Sequence, residues 1–203
     1  MARNRSICII GPDGGGKTTH AKSLACTLES RGECVEYIHM FDRKSTLLNR
    51  LAFLLRTSTQ RKEDNRHQQS RIEYVVSFVR TLARLLMTLP DSWMTYFYMK
   101  AKYRGRTVLC DRYFYDFVIG IGASEEKLAH LALKLTSLMP KPDIVIFLHA
   151  EPKVLHGRRK EMPLKQLQEL DNLYRLFALR QNCIGVNTEA ELPVVRDKLK
   201  GAV

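Results

Sequence analysis

The chain has 203 residues, 45% of them hydrophobic, enough for one well-buried core, so a single domain over residues 1–203 is expected. Its formal net charge of +12 suits a protein that handles polyphosphates, and with no basic repeat or recognised nucleic-acid motif, a nucleic-acid partner is not expected. Five cysteines without C-x-x-C spacing read as small buried thiols in a reducing compartment. The six histidines lack the paired spacing of a zinc site. Only the apolar run Ile7 to Ile10 separates the basic start from Gly11, too little for a signal peptide, so a cytoplasmic location is expected.

Ile7-Cys8-Ile9-Ile10 reads as a strand, and Ala21, Leu24, Ala25 and Leu28 recur at helical spacing until Arg31-Gly32 stops the helix. Between them, Gly11-Pro12-Asp13-Gly14-Gly15-Gly16-Lys17-Thr18-Thr19 fits the phosphate-binding pattern G-x-x-x-x-G-K-[ST]. Glycines let backbone N–H groups turn onto a phosphate, with Gly14, Gly15, Gly16, Lys17, Thr18 and Thr19 forming the cradle. Lys17 can reach the β and γ oxygens, the Thr18 hydroxyl can ligate Mg²⁺, and the helix that follows adds its positive end. The alternative, a glycine-rich turn, does not explain why the pattern sits between a strand and a helix.

Val35 to Met40 reads as a second strand. Residues 47–55 look helical, whereas 60–69 are polar throughout and read as a mobile surface segment. From Ile72, the residues Val75, Val76, Val79, Leu82, Ala83 and Leu86 predict one apolar helix face, with Glu73, Ser77, Arg80, Arg84 and Thr88 on the other. Arg80, Arg84, Pro90 and Asp91 interrupt this stretch short of the ~18 apolar residues of a membrane span. Pro90-Asp91 is expected to end the helix, and a second helix should begin at Trp93 and stop at Arg104-Gly105. Its aromatic cluster reads as core or as a subunit contact rather than a base-stacking platform.

Thr107 to Cys110 predicts a third strand that runs into Asp111-Arg112-Tyr113. A helix carrying Leu128, Leu131, Leu135 and Leu138 follows, then a buried strand over Ile144 to Leu148. Helices from about Pro152 and over Leu164 to Arg180, a strand around Ile184 to Val186 and a terminal helix over Val194 to Leu199 complete the order. Continuous apolar strands alternating with helices predict an α/β fold, a three-layer P-loop NTPase-type arrangement with a five-stranded parallel sheet covered on both faces. Ligands of such sheets bind at the strands' carboxyl ends, which gathers Asp13, residues 41–44 and Asp111 to Tyr113 around Lys17. Asp111 is placed there to hold Mg²⁺ with Thr18, and Arg112 offers a planar charged fork for phosphates.

These residues resemble the thymidylate kinase family of nucleoside monophosphate kinases. The resemblance rests on the phosphate loop with its acid at Asp13, on Asp111-Arg112-Tyr113, on Lys141 to Leu148 followed by Glu151-Pro152, and on Tyr174 in a late helix. It implies transfer of the γ-phosphoryl of ATP, with Mg²⁺, to a nucleoside monophosphate, most simply dTMP, by a homodimer without membrane insertion. It implies acceptor contacts from Asp13, Arg112, Tyr113 and the loop holding Arg43 and Lys44, and catalytic roles for Lys17 and Arg112. This phosphate loop has no arginine, so the family's pattern requires one from a short lid around 156–165, where either Arg158 or Arg159 could serve.

The chain departs from the family where the acceptor is read. The Pro-Glu of the second-strand loop is absent, Phe114-Tyr115-Asp116 replaces a serine-bearing stretch, and Asn187-Thr188 stands where an aspartate usually follows the last strand. Two competitors remain: a same-fold kinase of a deoxynucleoside or phosphorylated metabolite, and a regulatory or membrane-associated nucleotide-binding protein. The lack of an N-K-x-D segment argues against a GTPase switch.

Overall fold

In a computed structural model that describes residues 5–40, 71–160, 162–190 and 192–201, strands and helices alternate through the chain. The order is β1 (Ser6–Ile10), α1 (Lys17–Ser30), β2 (Val35–His39), α2 (Arg71–Lys102), β3 (Thr107–Asp111), α3 (Phe114–Ser124) and α4 (Glu126–Thr136). It continues with β4 (Ile144–His149), α5 (Pro152–Arg158), α6 (Leu164–Gln181), β5 (Ile184–Asn187) and α7 (Leu192–Gly201). The five strands form one sheet in the order β2-β3-β1-β4-β5, with every pairing parallel.

Strand alternation divides the apolar side chains between two cores. Ile7, Ile9, Leu109, Ile146 and Leu148 pack under Leu24 and Leu28 of α1 and under Val195 and Leu199 of α7. Cys8, Ile10, Val108, Cys110, Val145 and Phe147 face a larger core built with Leu85, Val118, Ile119, Leu133 and Phe177. Helices therefore cover both faces, as the alternating pattern predicts. Each fully buried aliphatic side chain contributes about 1.5–3 kcal/mol.

At the amino end of the sheet, Asp143 Oδ2 accepts from the Ser6 N–H and hydroxyl, both at 2.7 Å, tying β1 to the start of β4. Arg5 pairs with Glu33 at 2.7 Å, and Glu33 also accepts from Thr107 at 2.8 Å. The carboxyl end is left for chemistry.

Several expectations change. Pro90 does not end the helix: α2 runs through it, because Leu82, Leu85, Leu89 and Met99 seat the segments on both sides in the same core. That packing outweighs the roughly 3 kcal/mol a mid-helix proline costs. The apolar face is also different, since Phe78, Leu82, Leu85 and Leu89 face inward while Val75, Val76, Val79 and Leu86 are exposed. Thr88, expected on the polar face, is buried and donates to the Arg84 carbonyl at 2.8 Å.

A helix absent from the sequence reading, α3, begins at Phe114, where Asp116 accepts from the Tyr113 N–H at 2.8 Å and caps the first turn. The helix after it ends at Thr136, so Leu138 lies beyond its end and is exposed. Of the cysteines, Cys8 and Cys110 are buried and Cys183 half-buried, but Cys26 and Cys34 are exposed, and all five are free thiols. Among the described residues, no helix is long and apolar enough to cross a membrane.

Candidate active site

The phosphate loop leaves the carboxyl end of β1 with glycines that side chains could not replace. Gly11 has φ +145°, and a Cβ there would lie 2.3 Å from the Leu148 carbonyl oxygen. Gly14 has φ +87°, and its Cβ would meet the Leu155 carbonyl at 3.0 Å and the Arg159 Cβ at 3.7 Å. The loop is thus pressed between β4 and the end of α5. Gly16 closes it in the left-handed region, and α1 starts at Lys17, so the helix's free N–H groups open onto the loop.

Lys17 is 5% exposed, and its Nζ donates to the Gly11 carbonyl at 2.7 Å and the Pro12 carbonyl at 2.9 Å and pairs with Asp13 at 3.2 Å. Burial draws its pKa below the ordinary lysine value, against the opposing pull of Asp116 and Asp13. Asp13 also receives Arg112 at 2.6 Å. Burial acts to raise the Asp13 carboxyl, but the Lys17 and Arg112 charges prevail and hold it below its usual range. Arg112 loses charge stability to burial and regains more from Asp13 and Asp116, so its pKa rises. Its φ of 71° is unusual for a residue with a side chain, and its N–H donates to the Ile9 carbonyl at 3.0 Å. This turn joins β3 to β1 and places Arg112 beside the loop acid.

Asp111 is 0% exposed at the end of β3. Its Oδ2 accepts from the Thr18 hydroxyl at 2.7 Å and the Tyr37 hydroxyl at 2.7 Å, with His39 Nδ1 at 3.1 Å. Its Oδ1 has no hydrogen-bond partner among the described residues. A buried carboxylate oxygen without a donor, next to a threonine hydroxyl whose lone pairs remain, fits a hard divalent cation that prefers oxygen ligands. No cluster of three or more His, Cys, Asp or Glu among the described residues could cage a metal. Mg²⁺ commonly uses one or two protein oxygens and takes the others from phosphate and water.

Asp116, which the sequence reading treated only as a departure, is 8% exposed and links three elements. It accepts from the Gly11 N–H at 3.1 Å, the Tyr113 N–H at 2.8 Å and the Tyr174 hydroxyl at 2.7 Å. Burial pushes its carboxyl above the usual range despite Lys17 and these donors. An aspartate three places into a helix is readable as a cap, but its reach to Gly11 and Tyr174 depends on the fold.

The expected site residues divide accordingly. Gly14, Gly15, Gly16, Lys17, Thr18 and Thr19 form the loop and first turn of α1, with Asp13, Asp111 and Arg112 beside them. Tyr113 does not join them: it is fully buried, donates to the Pro140 carbonyl at 2.9 Å and packs against Tyr115, so it belongs to the core rather than to an acceptor pocket. Arg43 and Lys44 lie outside the described residues. Near the end of α5, Arg158 donates to the Thr188 carbonyl at 2.8 Å, just past β5, and the Arg159 Cβ lies close to Gly14.

A comparison with curated proteins gives no match. Among solved structures, a thymidylate kinase from Ehrlichia chaffeensis superposes with a TM-score of 0.59 at 17% identity, covering 97% of each chain, which shows a shared fold. The family model described as thymidylate kinase matches residues 9–198, from the end of β1 through most of α7, so the chain belongs to the thymidylate kinase family, whose reaction is phosphoryl transfer to dTMP.

Proposed function

We propose that in this chain the transfer to dTMP draws on the γ-phosphoryl of ATP and is organised by Lys17, Thr18, Asp111, Arg112 and Arg159. The observation that carries this reading is the Thr18 to Asp111 hydrogen bond of 2.7 Å, which joins the phosphate loop to the end of β3 within a few residues of Arg112. The loop amides and Lys17 hold the β and γ oxygens of the donor. Thr18 and Asp111 would hold Mg²⁺, which neutralises charge between those oxygens. Arg112, fixed by Asp13 at 2.6 Å, supplies a charged fork between donor and acceptor phosphates. Catalysis of this kind is positioning and electrostatic stabilisation, and no side-chain nucleophile takes part.

Of the two lid arginines, the arrangement favours Arg159 for the transferred group. The Arg159 Cβ lies close to Gly14, at the edge of the phosphate loop. An arginine that reaches developing charge on the γ oxygens contributes on the order of 10³–10⁵ in rate.

A homodimer is part of the same proposal. Val75, Val79, Leu86, Met94, Phe97 and Tyr98 of α2 are each between 48% and 60% exposed and recur along one side of the helix. A helix with two apolar faces requires cover on both.

The test is ADP release with a panel of nucleoside monophosphates and nucleosides. dTMP-dependent turnover that disappears in Lys17→Ala is expected, and ATP loss indifferent to every acceptor would defeat the proposal.

A further inference from the structure

Strand β2 brings two side chains to the metal carboxylate that the phosphate-loop pattern does not include. In the parallel register His39 stands opposite Asp111, and Tyr37, two residues earlier, points to the same face of the sheet. Ile38 between them packs into the other core. Both donate to one oxygen: Tyr37 through its hydroxyl at 2.7 Å and His39 through Nδ1 at 3.1 Å. Because a carboxylate only accepts, the Nδ1 hydrogen is fixed by this contact. With the Thr18 hydroxyl at 2.7 Å, Oδ2 receives three donors, while Oδ1 of the same fully buried group receives none among the described residues.

That asymmetry is unusual. A carboxylate oxygen offers about two lone-pair directions, so three donors saturate Oδ2. The two oxygens of a carboxylate are equivalent, so a half-turn only exchanges them, whereas any smaller rotation out of this plane would weaken all three contacts at once. The Thr18 hydroxyl gives its hydrogen to Oδ2, and its own lone pairs are thereby turned outward for a cation.

We propose that Tyr37 and His39 are positioning residues that lock Asp111 in one orientation, leaving Oδ1 as the oxygen offered, directly or through water, to the divalent cation beside Thr18. The inference rests on the reading of Thr18 and Asp111 as the metal site. Partners one shell out from a metal typically change its affinity by 10–100-fold. Neither residue touches substrate in this scheme.

The experiment is a Mn²⁺ titration of the ADP-bound protein followed by electron paramagnetic resonance, with ADP affinity measured separately in EDTA and folding checked by circular dichroism. Tyr37→Phe and His39→Ala should each weaken Mn²⁺ binding by about tenfold, with ADP affinity in EDTA unchanged. His39→Asn, whose side-chain amide can donate from near the Nδ1 position, should recover most of that loss. Unaltered Mn²⁺ affinity in both Tyr37→Phe and His39→Ala would overturn the proposal. So would an equal loss of ADP affinity in EDTA, which would mean that β2 only shapes the loop. Asp111→Asn separates the two levels. If it weakens Mn²⁺ binding while the β2 variants do not, the positioning role alone fails; if it too has no effect, the metal-site reading fails with it.

Discussion

Around the phosphate loop, apart from Asp111 Oδ1, the main charged and polar groups find partners within the site: Lys17 with three loop oxygens, Arg112 with Asp13, and Asp116 with donors from Gly11, Tyr113 and Tyr174. Helix α2 presents the opposite condition, with Phe78, Leu82, Leu85 and Leu89 in the core and a second apolar row, including Val79, Leu86 and Phe97, exposed. Directional hydrogen bonds allow only a few arrangements of the loop, so its geometry is specified from within. Apolar burial has no direction, and a helix with two apolar faces is oriented by whatever it packs against.

The largest effect that would break this contrast is at the lid. Arg159→Ala should lower kcat on the order of 10³-fold, while Arg158→Ala should stay within about tenfold of the unaltered enzyme. Single-turnover measurements at saturating ATP and dTMP check this, and a reversed ranking would move the catalytic charge to the residue that holds Thr188.

Next in size, Leu85→Ala should cost about 2–5 kcal/mol of stability in urea unfolding, because it opens a cavity in a closed core. Its neighbour Leu86→Ala should cost far less in protein diluted to the monomer, and more at concentrations where the dimer forms. Equal losses at all concentrations would show that both faces of α2 are covered within one chain.

A smaller gain is expected from Pro90→Ala, which restores a helical N–H. It should stabilise the protein by about 1 kcal/mol, less than the full helix-interior cost because packing already holds the turn. A melting temperature that falls instead would show that the proline's shape is needed in α2.

The smallest effect concerns Asp13. Its folded pKa is lowered, so its pairing with Lys17 and Arg112 contributes stability that is fully present above the ordinary carboxyl range near pH ~4. That contribution is lost as the pH falls through the depressed value. With the Asp13 side chain 43% exposed, solvent screens most of the pairing. Unfolding curves of Asp13→Asn and the unaltered protein should therefore differ slightly at neutral pH and converge in acid.

The sequence by itself determined the strand order of chemistry along the chain: the glycines and Lys17 of the loop, the Asp111-Arg112 pair at the end of β3, and the apolar runs that became a parallel sheet. These are legible because strand alternation and phosphate-loop spacing are local, and the residues that need one another are close in sequence or end adjacent strands. Tertiary structure alone decided the rest. Phe78 rather than Val79 turns inward, α2 continues through Pro90, Tyr113 enters the core, and Asp116 reaches Gly11 and Tyr174 from 105 and 58 residues away. The same is true of Tyr37 and His39 on Asp111, more than 70 residues apart in sequence, which meet only because β2 pairs with β3 in one register. Sequence spacing carries contacts along one element, but which faces meet across elements depends on the packing of the whole sheet.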